Sequence, residues 1–249
     1  MQAIRLYTPQ RLTVRDEVRL DDSTRHRATH VLRIHKHSPL VLFNGDGYDY
    51  PGQPVTLHKK AMTVRITERI PAREESNLET HLVLGVSKGT HMDFAIQKTV
   101  EAGVSEIHPV ITERTVTRFS DQVRAKRRQH WQNIIISACE QCGRAVLPVL
   151  HEAEDLGSLH SLSKAARGFV LDMGAGDRLA NFARNPVEKV WLAIGPEGGL
   201  TGTEKEQVIA KGFEAVSLGP RILRTETAAL TALVSAQLLW GDLSAHDNG

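Results

Sequence analysis

The sequence of 249 residues contains only two cysteines, Cys139 and Cys142. Two cysteines exclude the set of cross-links that holds a small secreted disulfide protein together. Long apolar runs are also missing, because the most apolar late stretch, AALTALVSAQLLW, is too short and too interrupted to span a bilayer. The amino-terminal stretch MQAIRLYTPQ lacks the apolar segment of a signal peptide. We therefore expect a cytoplasmic protein without a membrane partner.

The chain also has little net charge, +2 at pH 7, which argues against a histone-like binder of nucleic acid. Hydrophobic residues make up 41% and charged residues 24%, as in an ordinary globular protein. The charge is unevenly distributed: residues 1–72 carry 12 Lys and Arg against 7 Asp and Glu, and the remainder carries 19 against 22. This asymmetry favours a polyanion-binding module in the first part, although small basic domains without such a role are also common.

Residues 1–72 show the pattern of short strands. LVLFNGDGYDY reads as a strand followed by a hairpin turn at Asn44-Gly45 and Asp46-Gly47, and AMTVRITERI alternates like the next strand. DDSTRHRATHVLRI, which precedes them, indicates one short helix. The pattern predicts a small β-barrel with a helical insertion, followed by a polar linker, PAREESNLE, from Pro71 to Glu79.

Residues 73–249 alternate between strand and helix patterns, which predicts an α/β domain with a mostly parallel sheet. Strands are predicted at HLVLGVS, EIHPVIT, GFVLDM, KVWLAIG and AVSLG. Helices are predicted at THMDFAIQKTVEAG, DQVRAKRRQHWQNIIISACEQCG, TGTEKEQVIAKG and TETAALTALVSAQLLWG. Gly103 and Gly212 follow two of these helices, where glycine commonly takes up the left-handed conformation, and Thr201 and Glu204 have capping-box spacing.

Two Gly-Pro turns follow consecutive strands of the predicted sheet, in AIGPEGGLT (193–201) and in SLGPRILRTET (217–227). Glycines at such positions allow a ligand to approach the backbone closely. Neither turn has the glycine spacing of a dinucleotide-binding fold or of a P-loop. The turns indicate a ligand site at the carboxyl ends of the strands, or else two tight structural connections.

Three other features are open to more than one interpretation. Cys139 and Cys142 form C-x-x-C, but there is no second pair and the motif lies in a helical pattern, so a metal or redox site is disfavoured. Four histidines lie close together in residues 1–72: His26, His30, His35 and His37. Histidines in such a basic region are more typical of a solvated or RNA-facing surface than of a metal site. RAKRRQ (124–129) is either a solvated helix face or a phosphate contact. We expect no bound metal.

Longer motifs carry a family resemblance. IGPEGGLTGTEKE together with LGPRILRTETAAL resembles the SPOUT class of methyltransferases, and within it the family that methylates N3 of a uridine in 16S ribosomal RNA. FAIQKTVEAGVSEIHPV, ACEQCGR, RLY and HVLRI are similar to that family as well. The similarity runs from Arg5 to Trp240, and motifs of this length in this order are far more specific than one glycine pattern.

The resemblance implies an architecture that composition does not reveal. It implies a SPOUT methyltransferase domain with a trefoil knot at residues 73–249, after a PUA-like RNA-binding β-barrel at residues 1–72. It also implies S-adenosylmethionine as cofactor, 16S rRNA within the small ribosomal subunit as partner, and a homodimer with its active site near the subunit interface.

The resemblance also implies which residues form the cofactor pocket. An adenine and a thioether sulfonium need an apolar slot with a few backbone hydrogen bonds. The matching residues are Leu171, Ile194, Gly195, Pro196, Gly199, Leu218, Gly219, Ile222, Leu223 and Ala228. Core packing is an alternative role for Leu218 and Leu223, and the two roles are compatible.

Arginines in the second turn suit the acceptor rather than the cationic cofactor. A guanidinium can clamp phosphate or stabilise negative charge that develops on the uracil oxygens. We therefore assign Arg224 to a contact with the uracil ring of the substrate, and Arg221 to orienting the substrate or the loop. Glu226 either accepts the N3 proton or only favours the start of the last helix. No histidine is clearly placed by the sequence as the base.

RNA contacts are assigned to three arginines, Arg5, Arg33 and Arg144. The motif EQCGR also offers Glu140 and Gln141 to a substrate face or a dimer contact. Two other functions compete with N3 methylation: a SPOUT ribose 2′-O-methyltransferase acting on tRNA or 23S rRNA, and a non-catalytic RNA-binding protein that aids ribosome assembly. The predicted barrel at residues 1–72 and the motif LRTETAAL favour the uridine-N3 family over a ribose methyltransferase. The two Gly-Pro turns argue against a non-catalytic RNA-binding protein.

Overall fold

A computed structural model describes residues 3–32, 34–36, 38–58, 61–115, 120–184 and 186–244, without the side chains of His30 and Val31. The chain divides into two compact units. The first unit comprises residues 1–75 and 136–147, and the second comprises residues 76–135 and 148–249. The first unit is therefore assembled from two separate stretches of the sequence.

The first unit is built on a six-stranded sheet with strand order β1-β3-β4-β5-β2, to which β6 is added by pairing with β4. The β1–β3 pair is parallel and the other pairs are antiparallel. Its strands are β1 (Ile4–Tyr7), β2 (Glu17–Arg19), β3 (Leu40–Phe43), β4 (Tyr48–His58), β5 (Ala61–Ile66) and β6 (Ile70–Pro71).

The β3–β4 hairpin confirms the predicted turn, since Leu42 lies opposite Tyr50 and both Gly45 and Gly47 have positive φ. The predicted helical insertion is also present, although it is shorter and irregular. Helix α1 (Asp22–His26) is capped by the Asp21 carboxylate, and a π-helical segment, Arg27–Val31, continues it. Alternate strand residues such as Leu6, Leu42 and Val64 are buried in the core of this unit.

Arg5 lies inside the first unit, where it forms a largely buried ion pair with Asp49. Its Nη1 donates to Asp49 Oδ2 at 2.6 Å, and its Nη2 donates to the Arg144 carbonyl at 3.2 Å. The two paired side chains are only 10% and 16% exposed. Because a buried charge is stable only when it is paired, this contact contributes to the fold of the unit.

The second unit contains a seven-stranded sheet with order β10-β8-β7-β12-β11-β13, and β9 pairs with β8. Every pairing in it is parallel, as the alternating sequence pattern predicts. Its strands are β7 (Glu79–Gly85), β8 (Glu106–Ile111), β9 (Val149–Leu150), β10 (Glu154–Asp155), β11 (Arg167–Leu171), β12 (Lys189–Ile194) and β13 (Phe213–Val216).

The helices agree with the predicted segments: α2 (Thr90–Glu101), α3 (Asp121–Cys142), α4 (Gly202–Ala210) and α5 (Thr225–Trp240). Both hydrogen bonds of the Thr201–Glu204 capping box are formed at the start of α4. Gly103 and Gly212 have φ of +89° and +100°, as expected for residues that end helices. Helix α3 begins in the second unit, and its last residues belong to the first.

Among the helices of the described ranges, none is long and apolar enough to cross a membrane.

We predict that Arg5→Ala lowers the free energy of unfolding by about 1.5–3 kcal/mol, because it leaves the Asp49 carboxylate buried without its charged partner. Arg65→Ala is the matched control, since Arg65 pairs with Glu17 at side-chain exposures of 58% and 44%. The exposed pair should contribute less than about 1 kcal/mol. Urea unfolding followed by circular dichroism measures both losses, and equal losses would contradict the structural role of Arg5.

Candidate active site

A cavity of about 730 Å³ lies in the second unit, where the three neighbouring strands β12, β11 and β13 end. The starts of helices α2 and α5 contribute to its wall through His91 and Glu226. The carboxyl ends of parallel strands are the usual place for a ligand in α/β proteins, because the connecting loops meet there. The cavity is therefore the leading candidate for the functional site.

The structure brings the predicted pocket residues to this one cavity. They come from the end of β11, from the end of β12 and the turn after it, and from the segment that runs from β13 into the first turn of α5. All ten residues assigned to the cofactor line it: Leu171, Ile194, Gly195, Pro196, Gly199, Leu218, Gly219, Ile222, Leu223 and Ala228. The residues assigned to catalysis, Arg221, Arg224 and Glu226, line the same cavity. Their individual roles remain predictions.

Close backbone packing explains the glycines after β12. A Cβ atom at Gly85, at the end of β7, would overlap the Pro196 nitrogen. A Cβ atom at Gly195 would lie 2.9 Å from the Gly199 carbonyl carbon. Real Cβ atoms do not approach backbone so closely, so these glycines let the turn fold back against β7.

Gly219 has a different reason to be glycine. Its φ is +126°, a conformation that residues with a side chain rarely adopt, and a Cβ atom there would meet nothing within 4 Å. Space beside the backbone is therefore left open at this point of the cavity wall. A ligand can approach the main chain closely there.

His91 and Glu226 form a hydrogen bond in the cavity wall, although 135 residues separate them in the sequence. The His91 Nδ1 atom lies 2.9 Å from Glu226 Oε1. Because an ionised carboxylate only accepts hydrogen bonds, this contact places a ring proton on Nδ1. In the neutral ring, Nε2 is then left as a proton acceptor.

Glu226 is held in its charged form. Burial raises the pKa of its carboxyl, but hydrogen bonds from its own backbone N–H and from His91, together with the charge of Arg224, outweigh burial, and the net shift is downward. The second oxygen, Oε2, is buried and has no hydrogen-bond partner among the described residues. An unpartnered buried carboxylate oxygen is costly and is typical of a functional position.

The two cavity arginines are exposed, and within the described ranges neither forms an ion pair. Arg224 is the residue just before α5, and its side chain makes no capping hydrogen bond. By contrast, Lys205 is paired at the cavity with Asp172 at 2.7 Å, and this hydrogen bond lowers the pKa of Asp172. The unpaired guanidiniums are therefore the cations available to an anionic ligand.

Sequence reasoning missed His91 as well as the Lys205–Asp172 pair. A signal for His91 is present, since it follows the turn after β7 and is the second residue of α2, at the same edge of the sheet. Its partner Glu226 lies at the start of α5, and nothing in the local pattern links the two positions. Their proximity depends on the strand order.

The residues assigned to RNA contacts are engaged within the first unit or lie outside the described ranges. Arg5 is paired with Asp49, and Arg144 is paired with Glu75 at 2.6 Å, so phosphate would have to compete with these carboxylates. Arg33 lies outside the described residues. Glu140 accepts hydrogen bonds from the Tyr7 backbone and from Arg27, which indicates a structural contribution.

The remaining candidates of the sequence also have structural explanations or lie outside the described part. Cys139 is fully buried, and burial raises the pKa of its thiol to about 12, which disfavours a metal or redox role. In the basic run, Arg124 donates to the Ala153 carbonyl at 3.0 Å and Arg128 pairs with Glu152 at 2.9 Å. The side chain of His30 and all of His37 lie outside the described residues.

Comparison with known proteins first defines the class: residues 74–237 match the family described as the RNA methyltransferase domain. A curated relative, the ribosomal RNA small subunit methyltransferase E of Buchnera aphidicola subsp. Schizaphis graminum, is 33% identical over 242 residues, which cover 96% of this chain and 98% of that protein. The chain therefore belongs to the ribosomal RNA small subunit methyltransferase E family, which confirms the resemblance found in the sequence.

Two solved structures are similar over nearly the whole chain. A methyltransferase from Legionella pneumophila, in complex with the cofactor S-adenosylmethionine, has a TM-score of 0.92 at 36% identity and covers 97% of this chain and 100% of its own. A ribosomal RNA small subunit methyltransferase E from Neisseria gonorrhoeae, bound to S-adenosylmethionine, has a TM-score of 0.89 at 36% identity and covers 98% and 100%.

We predict that Gly85→Ala destabilises the protein by about 1–3 kcal/mol, because the added methyl group overlaps the Gly195–Pro196 backbone and the cavity wall must shift. Gly157→Ala is the matched control, since a Cβ atom there meets nothing within 4 Å and its φ is not positive. Thermal unfolding of the two variants measures the difference. Equal melting temperatures would show that β7 and the turn are not in close contact.

Proposed function

We propose that the protein transfers a methyl group from S-adenosylmethionine to N3 of a uridine in 16S rRNA, within the small ribosomal subunit. The observation that carries the proposal is that one cavity is lined by apolar residues, glycine turns, a charged glutamate and two arginines that form no ion pair among the described residues. Relatives named ribosomal RNA small subunit methyltransferase E support the substrate class, and the N3 position rests on the family resemblance.

The cavity suits S-adenosylmethionine chemically. Aliphatic side chains such as Leu171, Ile194 and Leu218 offer an apolar surface for the adenine, and the open backbone at Gly219 offers hydrogen-bonding groups. We propose that the ten residues assigned above hold the cofactor, which supplies the methyl group to be transferred. Similar proteins with bound S-adenosylmethionine support this assignment.

Arginines of the β13–α5 connection are suited to the acceptor. Uridine N3 becomes a good nucleophile only after its proton leaves, and negative charge then spreads onto the neighbouring carbonyl oxygens. We propose that the Arg224 guanidinium donates hydrogen bonds to these oxygens and that Arg221 orients the nucleotide or the loop. Their exposure and lack of a carboxylate partner leave both groups available for this contact.

The His91–Glu226 pair offers a route for the N3 proton. We propose that His91 Nε2 accepts the proton and that Glu226 fixes the ring orientation and stabilises the cationic ring that results. His91 is 38% exposed and Glu226 only 11% exposed, so the histidine is the member of the pair that a nucleotide can reach. A carboxylate that fixes the ring of a proton-accepting histidine is the arrangement of other carboxylate–histidine pairs. Glu226 remains the alternative direct acceptor.

Finer features of the architecture are proposals as well. We propose that residues 1–72 form a PUA-like RNA-binding barrel, with Arg5, Arg33 and Arg144 near phosphates, and that the second unit contains the SPOUT trefoil knot. We also propose a homodimer with the active site near the subunit interface. Ile222, which is 83% exposed at the cavity, supports an interface or a ligand covering that side chain.

Mapping the modified nucleotide tests the proposed function directly. Ribosomal RNA from a strain lacking the gene should lose one methyluridine whose extra mass lies on the base, and expression of the protein should restore it. Tandem mass spectrometry separates base methylation from ribose methylation, so a methyl group on ribose would establish the competing 2′-O activity. No change in any rRNA nucleotide would favour a non-catalytic role.

We predict that Gly219→Val weakens S-adenosylmethionine binding at least tenfold, because a branched side chain fills the space beside the backbone. Gly45→Val is the matched control: φ at Gly45 is +97° and a Cβ atom there also meets nothing within 4 Å, but the residue is not in the cavity. Both variants bear a similar strain of about 1–2 kcal/mol. Calorimetry should show lost affinity only in Gly219→Val, and unchanged affinity would refute the pocket assignment.

We predict that Arg224→Ala lowers kcat about a hundredfold while cofactor affinity changes little. Removing one preorganised donor to a developing negative charge costs roughly 3 kcal/mol. Arg224→Lys should restore little activity, because lysine lacks the fork geometry of the guanidinium. Arg184→Ala serves as control, since Arg184 is exposed and not in the cavity. Methylation of 30S subunits gives the rates, and a fully active Arg224→Ala enzyme would remove this role.

The pH dependence of His91→Gln and Glu226→Gln distinguishes their roles. If His91 accepts the proton, His91→Gln should lose about 100-fold to 10,000-fold in kcat and recover partly as pH rises, because uridine then ionises without help. Glu226→Gln should lose less. The reverse ranking would make Glu226 the acceptor, and nearly full activity in both variants would show that the pair only stabilises the start of α5.

A further inference from the structure

A row of rings crosses the sheet of the second unit, away from the active-site cavity. Trp191 on β12 lies opposite His81 on β7, and His108 on β8 and His151 after β9 follow. The His81 ring centroid lies 4.1 Å from that of Trp191 and 5.4 Å from that of His108. The His108 centroid also lies 4.7 Å from that of Trp191 and 4.0 Å from that of His151. None of these four residues lines the cavity, so the row is separate from the proposed methyl-transfer site.

Three potential metal ligands meet within this row. His81 Nδ1 lies 3.1 Å from His108 Nε2 and 3.7 Å from Glu106 Oε2, and the third side, from His108 Nε2 to Glu106 Oε2, is 3.6 Å. In a tetrahedral zinc site with bonds of about 2.0–2.1 Å, ligand atoms lie roughly 3.3–3.4 Å apart. The triangle therefore has the dimensions of one face of such a site.

A hydrogen bond to Glu79 holds the His81 ring in the tautomer that coordination needs. His81 Nε2 lies 2.7 Å from the Glu79 carboxylate, which can only accept, so the ring proton is on Nε2 and Nδ1 is free to coordinate. Glu79 is in turn paired with Lys189 at 2.7 Å. A carboxylate that accepts from the distal nitrogen of a histidine is the usual outer-shell partner in metal sites.

His108 Nε2 lies within hydrogen-bonding distance of His81 Nδ1, and the neutral His108 ring can take either of two tautomers. Without metal, the short contact with His81 is explained by a proton on His108 Nε2. Coordination requires only that this proton move to Nδ1, the other tautomer of the same ring.

We propose that His81, Glu106 and His108 bind one divalent transition metal of the zinc class, with a water molecule as fourth ligand. Two imidazoles and one carboxylate are a donor set that zinc accepts, whereas Mg²⁺ prefers oxygen ligands alone. His108 and Glu106 are 16% and 26% exposed, which leaves a path for an ion and a water molecule. The ion would link β7 and β8 and stabilise that part of the sheet.

Zn²⁺ titration of the untagged, chelator-treated full-length protein tests the proposal. Calorimetry should show one equivalent bound, Zn²⁺ but not Mg²⁺ should raise the melting temperature, and Co²⁺ should give the visible absorption of a tetrahedral site. His108→Gln and Glu106→Gln should each weaken Zn²⁺ binding by about a hundredfold or more. Glu79→Gln, which removes only the outer carboxylate, should weaken it about 10–100-fold.

His130→Gln is the matched control, because His130 forms a histidine–carboxylate pair with Asp93 at 2.9 Å outside the row. Its Zn²⁺ affinity should equal that of the wild type, and circular dichroism verifies that every variant is folded. Three results would each overturn the proposal: no saturable Zn²⁺ binding in the wild type, undiminished binding in both His108→Gln and Glu106→Gln, or an equal response to Mg²⁺.

Discussion

Parallel pairing of β12, β11 and β13 is the constraint on which the site depends. Because the three strands run in the same direction and lie side by side, the segments that follow them meet at one edge of the sheet. Three separate connections then form one cavity wall. Close packing of Gly85 against Gly195 and Pro196 holds the second connection against β7. Sheet order and glycine positions together determine the shape of the site.

Electrostatics divide this cavity into regions with different chemistry. Aliphatic side chains and open backbone suit an uncharged ring and a sulfonium, whereas Arg221 and Arg224 repel a cation and attract an anion. The buried Glu226 carboxylate, paired with His91, adds a negative centre near Arg224. The cavity therefore offers one set of groups to the cationic cofactor and another to the anionic RNA in the proposed reaction.

Local signals in the sequence were sufficient to predict much of the fold. The capping residues Thr201 and Glu204, the helix-ending Gly103 and Gly212 and the Asn44-Gly45 turn act within a few residues, so a single sequence carries them fully. The glycine turns indicated a ligand site for the same reason.

Long-range pairs could not be predicted in the same way. His91 reaches Glu226 across 135 residues, and Arg5 reaches Asp49 across 44, through pairings that depend on strand order. The row of His81, His108 and Trp191 likewise appears only once three strands are in register. Periodicity shows that a residue lies on a strand, but it does not show which strand lies beside it.

The discontinuous first unit has a consequence for how the chain folds during its synthesis. Residues 1–75 leave the ribosome before residues 136–147, which belong to the same unit. Glu140, which accepts hydrogen bonds from Tyr7 and Arg27, and the Arg144 carbonyl, which accepts from Arg5, are made only after more than half of the chain. The first unit is therefore complete only after β7, α2 and β8 have been translated, even though its hydrophobic core lies within residues 6–66.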